Sequence, residues 1–112
     1  MENEFIKTAR SIVEGAALVS VIARYPAAVI DSKVVGRWRH ATFNLSLLGP
    51  LTAKHKADFE RQIQLNADYA GMSIAPIKWW QSSGSYPGTV IVKVISSTQA
   101  NYPIQKQLHA GS

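Results

Sequence analysis

Apolar positions recur at spacings of three and four from residue 4 to 24. Phe5, Ala9, Ile12, Val13 and Ala16 fall on one side, with Lys7, Arg10, Ser11 and Glu14 on the other. That period predicts a helix. Asn3 is placed to cap it, Glu4 suits the positive end of its dipole, and Tyr25-Pro26 ends it, since a residue before proline is pushed out of helical space. Towards its end Leu18, Val21 and Ile22 project onto the side that is polar a turn earlier. A helix apolar all round needs cover all round. A second copy of the chain is the expected cover, which makes these three residues a candidate oligomer contact.

The period then changes to two. A short strand is expected to end at Ile30, with "DSK" as the turn and a long strand from about Val34 to Leu48. In that strand Phe43, Leu45 and Leu47 share one face, and Trp38, His40, Thr42, Asn44 and Ser46 the other. Thr52 can cap a second helix closed by Gly71, with Phe59, Ile63, Ala67 and Ala70 as its buried stripe.

Two further strands follow. In "SIAPIKWWQ" Ala75, Ile77 and Trp79 alternate with Pro76, Lys78 and Trp80, and the proline assigns this strand to an edge. "GTVIVKVIS" is apolar on both faces and reads as a central strand, while "TQANYPIQKQLHAGS" has no period. The expected architecture is α+β in the order α-β-β-α-β-β, a four-stranded, mostly antiparallel sheet with two helices on one face. One domain over residues 1–97 and an extended or flexible arm over 98–112 complete the reading.

Parity decides where the tryptophans go. Trp79 belongs with the apolar set beneath the helices, whereas Trp80 points to the opposite face. That face is expected to show Trp38, His40, Lys78, Trp80 and Lys93, with Arg37 and Arg39 beside it. Charge sharpens the picture. Residues 1–32 hold three cations and four acids; between Asp31 and Asp58 lie Lys33, Arg37, Arg39, Lys54 and Lys56 with no acid; and Lys78, Lys93 and Lys106 follow Asp68 unopposed, within a net charge of +5. Aromatic rings interleaved with cations point first to nucleic acid, single-stranded above all. The alternative is a protein partner: a homo-oligomer, or a small phage- or plasmid-type accessory protein acting as inhibitor or adaptor, with the same tryptophans as interface anchors.

Other chemistry finds little support. The chain has no cysteine, and His40, His55 and His109 show no paired ligand spacing, so no metal, cofactor or enzymatic activity is expected. "SSGSYPG" lacks the glycine spacing of a nucleophile elbow and reads as a hairpin loop. No secretory signal pattern opens the chain, and its longest apolar run is too short to span a bilayer. A cytoplasmic protein that does not enter membranes is the expectation.

Overall fold

The computed structural model describes residues 3–23, 26–80 and 88–98. It is α+β: helix α1 (Glu4–Ser20), strands β1 (Ala28–Val35) and β2 (Trp38–Ser46), helix α2 (Ala53–Ala70), then β3 (Ser73–Ile74), β4 (Lys78–Trp80) and β5 (Thr89–Ser97). All strand pairs are antiparallel. The order is β1-β2-β5-β3, with β4 also on β5. Five strands replace the expected four because one edge is broken. Ile74 lies opposite Val94 and Trp79 opposite Val90, so this edge uses one residue more than β5 over the same span. Pro76, without an N–H, sits in the break, while the Ala75 amide still donates to the Lys93 carbonyl at 3.0 Å. The extra residue absorbs the parity. Ile77 and Trp79 keep to the helix side, but Ala75, expected beside them, borders cavities on both sides of the sheet.

β5 is central, as its two-sided apolar composition predicts. The first turn is misplaced by the sequence reading. "DSK" lies inside β1, and the chain reverses at Gly36-Arg37, flanked by the pair Val35–Trp38. Gly36 has φ +61°, the geometry glycine supplies at the first central position of a two-residue hairpin. β1 therefore runs past Ile30, which is absorbed by a bulge between Val29 and Asp31.

Both helices cover one face. Their buried stripes meet Phe43, Leu45, Val90, Val92 and Val94, all fully enclosed. Burying each such side chain contributes roughly 1.5–3 kcal/mol. Asn66 ties the helices together, its Nδ2 donating to the Ile12 carbonyl at 3.2 Å. The exposed start of α2 is a solvated charged face. Asp58 accepts from Lys54 at 2.9 Å and Arg61 at 3.0 Å. The Lys54 hydrogen bond, joined by the Arg61 contacts, holds its carboxyl below the ordinary value against the opposing effect of desolvation.

α1 stops four residues earlier than Tyr25-Pro26 implies. The Val21 amide donates to the Leu18 carbonyl and that of Ile22 to the Ala17 carbonyl, both at 3.3 Å, a Schellman ending. α2 ends the same way, from Gly71 to Asp68 and from Met72 to Ala67. The left-handed residue is Gly71 in one helix and Val21, at φ +54°, in the other. A β-branched side chain is strained there. Val21→Gly is therefore expected to raise stability by about 1 kcal/mol, the strain released being partly offset by glycine's freedom in the unfolded chain. Thermal melting reads this as a midpoint several degrees higher; an unchanged or lower midpoint contradicts it.

Candidate interaction surface

The sheet face away from the helices is built by strand register. Trp38 lies opposite Ser97, His40 opposite Ile95, Thr42 opposite Lys93, and Asn44 opposite Ile91, with Ile91 also facing Lys78. Ser46 and Trp80 both face Thr89. So Trp38, His40, Lys78, Trp80 and Lys93 do share one face. They do not form one cluster. Trp38 and Trp80 occupy opposite ends, eight residues apart in register, or about 27 Å. Between them Thr42, Lys78, Ile91 and Lys93 line a shallow cavity of 280 Å³. His40 Nδ1 and Asn44 Oδ1 are buried and meet no hydrogen-bond partner among the described residues.

Arg37 occupies the turn. Arg39 has the opposite parity and donates from Nη2 to the Thr98 carbonyl at 3.1 Å, so it clamps the end of β5 instead of lying with the open-face residues. Trp79 is on the helix side as predicted: its Nε1 donates to Glu60 at 2.9 Å and its ring meets Phe59 edge-on, centroids 5.6 Å apart. Of the three candidate oligomer residues, Leu18 and Val21 are exposed, but Ile22 is fully buried in the protomer's own core. It is the apolar residue that follows a Schellman turn and packs back against the helix. Val19 and Leu48, not singled out by the sequence, join the exposed apolar positions.

The largest omission is the β1–β2 hairpin. Ile30, Val34, Val35 and Trp38 are 54%, 66%, 48% and 47% exposed. Val34 faces the helix side, opposite Arg39, while Val35 and Trp38 face the other. The hairpin thus exposes apolar side chains on both faces and runs out beyond the cover of either helix. Apart from half-buried Val29, every residue of β1 is exposed, and β1 is an edge of the sheet. Reading "DSK" as a turn removed this strand half from view. The missed signal is "VVGRW", two β-branched residues and then a glycine opening a two-residue turn before the next strand.

Its root is held by α1. The Ala27 amide donates to Glu14 Oε2 at 2.7 Å, and Arg10 Nε donates to the Ala27 carbonyl at 3.2 Å. Arg10 also lies over the Phe43 ring, 6.0 Å from its centroid.

Among the described residues no group of His, Asp or Glu side chains could hold a metal ion, and no helix is long and apolar enough to cross a membrane. The expected arm, 98–112, lies outside the described residues except for Thr98, whose amide donates to the Arg37 carbonyl at 2.7 Å. The "SSGSYPG" loop up to Pro87, His109 and Lys106 also lie outside them.

No protein-family model matches the chain, and no curated protein does. Among solved structures it is similar to the type 4 fimbrial biogenesis protein PilO from Pseudomonas aeruginosa, with a TM-score of 0.50 and 9% sequence identity. The match covers 80% of this chain and 64% of that one. At that identity the likeness is one of fold alone.

Proposed function

We propose that this is a non-enzymatic protein-interaction module whose main contact is the β1–β2 hairpin. One observation carries the reading: a strand pair with exposed apolar side chains on both faces that neither helix covers and whose outer edge no strand among the described residues pairs. Exposed, contiguous apolar surface of this kind marks interaction sites, and a free edge offers backbone hydrogen bonds to a partner. A similarly folded chain named for fimbrial biogenesis leans the same way. The module acts in an assembly, as a homo-oligomer or as an adaptor or inhibitor on a larger complex, in the cytoplasm.

A second reading, single-stranded nucleic acid, rests on His40, Lys78 and Lys93 sharing the open face. The separation of Trp38 from Trp80 and the acid Asp31, opposite Thr42 in register, weigh against it as a stacking platform.

Solution mass and partner affinity of the wild type, Val34→Ser and Trp38→Ala decide between them. Each substitution is expected to weaken association about tenfold while far-ultraviolet dichroism stays unchanged. Association indifferent to both removes the hairpin reading. Tryptophan quenching by a mixed-sequence oligonucleotide at low salt, lost in Lys78→Ala and Lys93→Ala, would put the second reading in its place.

A further inference from the structure

We infer that the hairpin's partner is a second copy of this chain, joined edge to edge through β1 about a two-fold axis at Ser32. The inference rests on the interaction reading and names its occupant. In a two-residue hairpin the flanking pair Val35–Trp38 is hydrogen-bonded to itself, and the alternation of an antiparallel ladder then turns the backbone groups of Ser32 and Val34 outward. An antiparallel copy can meet these groups only in registers where outward residues face outward residues.

Charge selects among those registers. The strand carries one acid, Asp31, and one base, Lys33, on the same face. A two-fold axis at Asp31 sets acid against acid, and one at Lys33 sets base against base. An axis at Ser32 sets Asp31 opposite Lys33 of the partner, twice over by symmetry. It also sets Val34 opposite Ile30 of the partner, matching exposed apolar side chains to each other. Opposite charges directly across two strands attract, and like charges there repel. Lone charges on an edge normally deter pairing; here they deter the two neighbouring registers, and the register centred on Val34 would leave Lys33 against Val35 and Ile30 unmatched. The bulge at Ile30 closes the paired segment at its other end. An isologous contact of this kind closes after two copies. It yields one continuous sheet with all four helices on the same side.

The test exploits the absence of cysteine. In Ser32→Cys the only thiols of the full-length dimer face each other across a hydrogen-bonded pair, about 5.5 Å between Cα atoms, within disulfide reach. Mild oxidation should link most of this variant into dimers on a non-reducing gel. Val34→Cys, its two copies about 14 Å apart in this register, should stay unlinked. Asp31→Lys should weaken the dimer about tenfold in sedimentation, and the swap Asp31→Lys/Lys33→Asp should restore it to within about threefold. A dimer that ignores these charges, and whose Ser32→Cys variant stays unlinked, overturns the inference, because it forms elsewhere. A monomeric wild type also overturns it, yet spares the interaction reading if Trp38→Ala weakens capture of a foreign partner.

Discussion

Phe43→Ala is expected to destabilise the protein by about 4 kcal/mol, whereas Trp38→Ala, on the same strand, should change stability by less than about 0.5 kcal/mol. Surface area alone would suggest the reverse, since tryptophan is the larger side chain. Phe43 is fully enclosed between the sheet and the helices, with the Arg10 guanidinium over its ring. Its removal leaves a cavity that Val92, directly opposite, and the helical stripe cannot fill without moving. Trp38 already has 47% of its surface in water, at the uncovered end of the hairpin. Urea unfolding at low protein concentration separates the two, because association would otherwise add to apparent stability. Comparable losses would mean that Trp38 is packed within the protomer, and the interaction surface would shrink accordingly.

The sequence carried most of the fold because burial is periodic. The stripe of α1, the stripe of α2, the parity of β2 and the central place of β5 all emerge in the structure as alternation predicts. What failed was punctuation. Asp31-Ser32-Lys33 looks like a turn by residue type, yet an edge strand tolerates the same residues because one of its sides meets only solvent. Gly36, a single residue, held the decisive information. Ile22 misled for a similar reason: on a helical wheel extended to Arg24 it falls on the exposed side, but the helix has ended two residues before it. The open face was legible as a set of residues but not as a geometry, since parity fixes sides and says nothing about distance along a strand.

Least visible in the sequence was Glu14, which on the helical period is only a polar residue on the solvent side of α1. Its carboxylate accepts from the Ala27 amide at 2.7 Å and lies 4.0 Å from Arg10 Nε. Ala27 is buried and immediately precedes β1. Glu14→Ala leaves that buried amide with no acceptor, and a hydrogen bond to a charged group contributes about 1.5–3 kcal/mol. We expect a loss near 2 kcal/mol, with Glu14→Gln recovering part of it because an amide oxygen can still accept. Amide hydrogen exchange gives the sharper readout. In Glu14→Ala, protection should fall along β1 from Ala28 onward while the Phe43–Val92 ladder keeps its own, since β1 has little but β2 and this clasp to hold it. Uniform loss of protection would show instead that Glu14 acts on the whole fold. An edge strand offered to a partner must be fixed at its root and open along its length, and the clasp on Ala27 supplies the first condition without covering any residue that the second requires.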